Sequence, residues 1–230
     1  MASVTGDLIP KELLPVAGKP LLQWTLEEAA VAGIERAVVV TSPDKPQIAQ
    51  FLSTHAPIHS STTLVVQPEP RGLGDALTRA RSVARDGAVV MMLPDNLFSP
   101  AAPAVGPVLD AYRRTGLSAV LIVATSGGGT AGRAECRARS DGLWDVWRVS
   151  AKAPAAPSTL TPIGRWVFDA AEFERFERLR AALPPRAELD DVPVLQELAA
   201  EGRLIGVPLA GAFYDVGQPG GYRDALAALT

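Results

Sequence analysis

The order of apolar segments predicts an α/β fold built on a doubly wound, mostly parallel sheet with a small antiparallel excursion. Short β-branched runs recur between stretches of helical periodicity. Several of those runs do not alternate, so they read as strands buried on both faces. The pattern then changes character after about residue 125. At 230 residues and 47% hydrophobic content, the chain suits one α/β domain over 1–230, with the excursion at roughly 125–165.

Residues 20–32 place Leu22, Leu26, Ala29 and Ala30 at helical spacing, and Gly33 follows where a helix-ending glycine belongs. Ala37-Val38-Val39-Val40 reads as a buried strand ended by Thr41-Ser42-Pro43. A helix over 44–52, a strand over 63–66 and a helix over 74–84 come next. Residues 88–93 form a strand without alternation, hence buried on both faces. A helix over 105–114 leads to a buried strand over 118–124. Residues 126–130 are glycine-rich, and the broken apolar groups through Val149 suit antiparallel strands. The Ala/Pro-rich stretch 151–158 reads as a loop. Amphipathic helices are expected over 170–183 and 192–201, a short strand over 204–209 and a closing helix over 222–229.

The net charge is −3, with acids and bases interspersed, which argues against a nucleic-acid partner. The apolar runs 37–40 and 88–93 are far too short to span a bilayer, and residues 1–10 lack the pattern of a signal peptide. The single cysteine, Cys136, excludes an internal disulfide and fits a reducing compartment. A cytoplasmic protein with no membrane partner is expected.

In an open parallel sheet, ligands bind at the carboxyl ends of strands. Asp95, in Leu93-Pro94-Asp95-Asn96, stands there, and its carboxylate suits Mg²⁺, a hard cation that keeps company with phosphates. Asp215, in Phe213-Tyr214-Asp215-Val216-Gly217, follows another short strand, and the two could converge on one metal. Each alone also fits a capping or turn role. Lys11 and Lys19 lie beside prolines ahead of a helix, where a restrained backbone can aim an ammonium at phosphates; a solvated lysine is the alternative. In Gln67-Pro68-Glu69-Pro70-Arg71-Gly72-Leu73-Gly74, glycines open a helix, and the Gln67 amide suits the edge of a pyrimidine base. His55 and His59 fall in a surface loop and receive no role.

Together, Pro10-Lys11-Glu12-Leu13-Leu14-Pro15-Val16 with Lys19-Pro20, Gln67 with Gly72-Leu73-Gly74, Leu93-Pro94-Asp95-Asn96, and Tyr214-Asp215-Val216-Gly217 resemble the ordered motifs of the sugar-1-phosphate nucleotidyltransferases. Uridylyltransferases acting on glucose 1-phosphate are the most similar branch, with thymidylyltransferases next. The resemblance implies a Rossmann-like domain that joins an NTP to a sugar 1-phosphate with Mg²⁺ and releases pyrophosphate. It also implies a homo-oligomer. By the same resemblance Lys11 neutralises phosphate charge, Asp95 and Asp215 hold the metal, and Gln67 with the Gly72 backbone reads uracil or thymine. Such chemistry needs positioning and charge neutralisation more than a covalent nucleophile.

The sugar side is thinner. Gly132-Arg133-Ala134-Glu135 is similar to the family's Tyr-Gly segment, with Ala131 in place of the tyrosine. Lys152 matches the lysine of the Glu-Lys-Pro motif that contacts sugar and phosphate, but Ala151 stands where the glutamate belongs. Gly132 and Lys152 are therefore the expected sugar-phosphate contacts. Thr159, in Pro157-Ser158-Thr159-Leu160, replaces the usual asparagine. At the front, Met1-Ala2-Ser3-Val4-Thr5 aligns just after the family's Gly-Gly-x-Gly-Thr-Arg loop, so that loop and the first strand are missing. Without that strand, its neighbours are expected to show uncovered apolar faces and unpaired ladder groups. Two other readings compete: a non-catalytic nucleotide- or sugar-phosphate-binding relative, and a cytidylyltransferase for another small phosphorylated alcohol.

Overall fold

The computed structural model describes residues 9–55, 61–99, 104–125, 132–151 and 158–229. They form two compact units, each made of segments distant in sequence: residues 1–70, 92–103 and 211–230 in the first, 71–91 and 104–210 in the second.

The first unit begins with a single 3₁₀ turn over Lys11–Leu13, entered through Pro10. A two-stranded ribbon follows, β1 (Pro15–Val16) antiparallel to β2 (Lys19–Pro20). Its turn places Ala17 at φ +51° and Gly18 at φ +73°, two left-handed residues whose twist matches a tight hairpin. Helix α1 (Leu21–Val31) starts directly after Pro20 and buries Leu21, Leu22, Leu26 and Ala29. Gly33 at φ +78° ends it as expected. Strand β3 (Arg36–Thr41) runs parallel to β4 (Ser61–Val66), with α2 (Pro46–Thr54) between them in the chain. Leu22 and Leu26 of α1 share a core with Ile48 and Phe51 of α2.

Strand β6 (Asn96–Phe98) and strand β12 (Phe213–Asp215) pair antiparallel, and α7 (Pro219–Leu229) closes the unit. Leu97, Val216 and Ala225 join Leu14, Val16 and Leu21 in a second core cluster. Trp24 Nε1 donates to the Val16 carbonyl at 3.0 Å, and Tyr222 Oη donates to the Pro15 carbonyl at 2.8 Å, so the ribbon is tied from both sides.

The second unit holds α3 (Leu73–Ala80), β5 (Ala88–Met92), α4 (Val105–Thr115), β7 (Ser118–Ala124), β8 (Arg133–Ala138), β9 (Trp144–Ser150), β10 (Leu160–Asp169), α5 (Phe173–Ala182), α6 (Val192–Ala200) and β11 (Leu204–Pro208). Its six-stranded sheet has the order β5-β10-β7-β11-β9-β8. Strand β7 is central: it pairs antiparallel with β10 and parallel with β11, and all but its last residue are buried. Strands β8 and β9 form the expected antiparallel excursion. Helix α4 packs on β7 and β10, and α6 packs on β9 and β11. Trp166 and Phe168 of β10 meet Phe173 and Phe176 of α5 in tilted and edge-to-face contacts that make the aromatic centre of this core.

The architecture is α/β and Rossmann-like, as the sequence predicts, and three elements differ in detail. Strand β3 is only half-buried, and among the described residues β4 is its one ladder partner. On β4 itself Val66 is 49% exposed. Strand β5 buries only Met91 fully, since it lies at the margin of its sheet. Strand β10 spans ten residues to which the sequence reading assigns no element. Pro162 and Gly164 disguise it, and its register shifts between Ile163 and Trp166.

Candidate functional site

Asp95 and Asp215 are brought together by backbone pairing. In the β6–β12 ladder, Asp215 stands opposite Asn96 and Tyr214 opposite Leu97. Beyond the last pair, the Val216 N–H donates to the Asp95 carbonyl at 2.9 Å. Asp95 is itself turned by the chain before it, where the Asn96 N–H donates back to the Leu93 carbonyl at 3.2 Å. The two carboxylates flank Gly217. A Cβ at that glycine would lie 3.1 Å from Asp95 Oδ2 and 3.2 Å from Asp215 Oδ1. A second glycine fixes the geometry from below, for a Cβ at Gly221 would meet the Asp215 carbonyl oxygen at 2.1 Å. Only glycine lets α7 start against β12.

Lys11 completes the group. Its Nζ donates to Asp95 Oδ2 at 2.6 Å, from a side chain about half exposed. Burial opposes its charge, yet the Asp95 carboxylate, their hydrogen bond, Glu12 and Asp215 together raise its pKa above the ordinary lysine value. The Asp215 carboxyl is pushed up, first by desolvation and then by the nearby Asp95 charge, against a backbone hydrogen bond from Gly217 and the attraction of Lys11. Two carboxylates therefore face each other, with one ammonium between them and the solvent. The neighbouring Glu12 points the other way and accepts from Lys45 at 2.9 Å.

This donor set fits a hard divalent cation. Both ligands are carboxylate oxygens, the missing Cβ of Gly217 leaves room beside them, and the mutual repulsion felt by Asp215 is what a cation relieves. Among the described residues no third His, Cys, Asp or Glu joins them as a metal ligand. Two carboxylates suit Mg²⁺, which keeps several waters and shares the rest of its shell with substrate phosphates.

The remaining expected residues are placed as follows. Lys19 does not turn to this site: it pairs with Glu27 and lies 4.1 Å above the Trp24 ring. Gln67 directly follows β4, and its N–H donates to the Thr41 carbonyl at 2.7 Å, which fixes its position in the first unit. Gly72 belongs to the second unit, at the start of α3, with φ +91°. Leu189 presses on it so closely that a Cβ would meet the Leu189 carbonyl oxygen at 2.4 Å. The Leu189 N–H donates to the Arg71 carbonyl and its carbonyl accepts from Gly74, both at 2.8 Å. Leu189 thus locks the glycine segment, a role that sequence reasoning missed because the segment around it lacks a periodic pattern.

Gly132 is buried, with its missing Cβ 3.1 Å from the Ser150 carbonyl oxygen and 3.1 Å from Val192 Cγ2. Lys152 and His59 lie outside the described residues. His55 caps the end of α2 and stacks on Phe51, with ring centroids 4.1 Å apart. No helix among the described residues is long and apolar enough to cross a membrane.

Comparison with known proteins bears on this geometry. The profile of the family described as nucleotidyl transferase matches residues 4–230. The chain is 29% identical over 246 residues to a UTP–glucose-1-phosphate uridylyltransferase of Streptococcus pneumoniae, covering 93% of this chain and 81% of that one. It is 28% identical over 251 residues to the enzyme of the same name from Bacillus subtilis, covering 93% and 81%. Among solved structures, a UDP-glucose pyrophosphorylase complexed with UDP-glucose superposes with a TM-score of 0.86 at 26% identity, covering 96% of this chain and 90% of the other. A putative glucose-1-phosphate thymidylyltransferase from Bacillus anthracis shares the fold, with a TM-score of 0.83 at 20% identity and coverage of 96% and 87%.

Proposed function

Because this chain belongs to the nucleotidyl transferase family, we infer that it is an enzyme moving a nucleotidyl group from an NTP to a sugar 1-phosphate, with UTP or dTTP as donor and a hexose 1-phosphate as acceptor. The observation that carries the reading is the convergence of Lys11, Asp95 and Asp215 around Gly217. An oxygen of the sugar phosphate attacks the α-phosphorus, the bond to the bridging oxygen of pyrophosphate breaks, and the nucleotide sugar forms.

Asp95 and Asp215 would hold Mg²⁺, which when bound supplies positive charge to the phosphate oxygens. Lys11 supplies a second, mobile charge. Its long half-exposed side chain leaves Asp95 for a phosphate oxygen without a change in the fold. Both groups act by charge stabilisation and alignment, which is the main requirement of phosphoryl-type transfer. Gln67, held at the end of β4, presents one donor and one acceptor to the uracil or thymine edge. The Gly72 backbone is assigned to the base as well. Gly132 and Lys152 are assigned to the sugar phosphate. The relatives named for UTP and glucose 1-phosphate support that pair of substrates first, and a cytoplasmic setting fits the soluble substrates.

Pyrophosphate release with UTP, Mg²⁺ and glucose 1-phosphate tests the reading, with dTTP in parallel. Asp95→Ala and Asp215→Ala should each reduce turnover by at least ~10²-fold, as expected for loss of a charge-stabilising group. Silence of the unaltered chain with every NTP and hexose 1-phosphate would refute the assignment, and full activity in either variant would refute the metal ligands.

A further inference from the structure

The second unit contains a buried cation with no carboxylate partner among the described residues. Arg133, at the start of β8, is 4% exposed. One of its terminal nitrogens, Nη1, donates to Thr125 Oγ1 at 3.0 Å and also to Thr161 Oγ1. Thr125 lies just past the carboxyl end of β7, and Thr161 lies near the amino end of the antiparallel β10, so both hydroxyls stand at the same end of that strand pair. The hydroxyls are already joined to each other at 3.0 Å, and Thr125 also reaches the Thr159 carbonyl at 3.2 Å.

Among the described residues no carboxylate lies within ion-pair distance of Arg133. Segments 126–131 and 152–157, on either side of the β8–β9 hairpin, contain no aspartate or glutamate in their sequence. A guanidinium stays protonated in any protein environment, and a buried charge is costly unless it is paired. The same unit shows the ordinary solution elsewhere. Arg175 reaches Glu172 at 2.6 Å, Glu197 at 3.1 Å and Glu201 at 2.6 Å, and Arg203 also engages Glu172. Among the described residues Arg133 meets neutral hydroxyls alone, and they use one nitrogen of its planar fork. The Nε and Nη2 edge is the one that matches a phosphate or carboxylate in two-point fashion.

We infer that Arg133, with Thr125 and Thr161, forms a binding site for an oxyanion of the acceptor sugar: its phosphate, or a carboxylate carried on its ring. The assignment to the acceptor rests on the reading proposed above; the oxyanion site itself does not. The location agrees with the general rule that ligands bind outside the carboxyl ends of strands, here that of β7 within the parallel β7–β11 pair. It also sits next to Gly132, where the absence of a side chain brings Ser150 and Val192 close.

Calorimetric titration of the whole chain with inorganic phosphate, glucose 1-phosphate, glucuronate and neutral glucose tests this directly. At least one oxyanion should bind while glucose alone does not. Arg133→Gln should weaken that binding ~30-fold or more, the expected loss when one partner of a buried charge pair is truncated. Arg133→Lys should recover part of it, since it keeps the charge and loses the fork. Binding of phosphate and glucose 1-phosphate without glucuronate identifies the phosphate as the source; the reverse identifies a ring carboxylate. Failure of every oxyanion to bind, or unchanged binding in Arg133→Gln, overturns the inference. Arg133→Met gives an independent check. In oxyanion-free buffer it should melt at or above the temperature of the unaltered chain, because the threonine hydroxyls keep each other; a clearly lower melting temperature would mark Arg133 as a structural tie and overturn the site. Lys11→Met separates this inference from the proposed reaction: it should lose turnover and keep oxyanion binding.

Discussion

At Gly217 a single hydrogen separates two roles. An added methyl there would sit against both carboxylates at contact distances of 3.1 and 3.2 Å, tight enough to disturb their spacing without touching either core cluster. Gly217→Ala is therefore expected to weaken Mn²⁺ binding about tenfold, measured by electron paramagnetic resonance titration, while the melting temperature moves little. Lys11→Met should lower the rate of pyrophosphate release by ~10²-fold or more, the scale of removing one charge-stabilising donor. Cys136 makes a contrasting case. Burial pushes its thiol up to about 11, so it stays protonated at neutral pH, and alkylation by iodoacetamide at pH 8 should be far slower than that of a free thiol. Asp95 and Asp215 were legible as residue types at the ends of strands, and Lys11 as a lysine beside prolines ahead of a helix. Their meeting was not, because the β6–β12 ladder that joins them consists of two three-residue strands with no periodic signal. The role of Gly217 was equally hidden, since the approach of Asp95 from a distant segment leaves no mark in the local pattern.

The elements were mostly legible where a hydrophobic face or a glycine stop defined them, as in α1, α4, β7, α5 and α6. The ribbon β1–β2 was not foreseen, because prolines and a lysine obscure its strands, and its turn carries a residue at odds with its conformation. Ala17 at φ +51° occupies a region that costs a non-glycine residue about 1 kcal/mol. Ala17→Gly should recover part of that, about 0.5 kcal/mol after the entropy of the unfolded glycine is counted, read as a rise in the urea midpoint. Helices α5 and α6 are linked by Arg175 and Arg178 through Glu172, Glu197 and Glu201. Glu172 is nearly inaccessible, so Arg175→Met should cost about 3 kcal/mol by stripping a buried carboxylate of one partner. The hydrogen bond from Arg178, against burial, holds Glu197 below its ordinary pKa near 4.5, and Arg175 does the same for Glu201. A lowered carboxylate stabilises the fold above its unfolded pKa and loses that contribution as pH falls through the folded value. The melting temperature should drop as pH falls below about 4.5, and Glu197→Gln should flatten that drop.

Over the whole molecule, each unit has its own apolar centre: two leucine-containing clusters in the first, the Trp166–Phe168–Phe173–Phe176 group in the second. The α/β class was legible because strands and helices alternate. The division into units was not, because each is assembled from segments that the other interrupts. Strand β3 is half-buried and Val66 on β4 is largely exposed, so this parallel pair carries apolar surface outside the core clusters. If the metal site is as assigned, hydrogen exchange in saturating Mg²⁺ should slow at Asn96, Leu97, Tyr214 and Val216 and leave the amides of β7 unchanged. Uniform slowing across both units would argue against a site confined to the first.

The short ladder between β6 and β12 also sets a clock. Asp95 leaves the ribosome well before Asp215, with the whole of β7 through β11 still to be made. During that interval Lys11, already synthesised, is the only member of the trio able to neutralise Asp95. The ion pair seen in the finished protein can therefore be formed by the nascent chain, whereas the repulsive pair of aspartates, and any affinity for a divalent ion, can appear only once the last strand has been added. Metal capture would then report that β12 has been made and paired with β6.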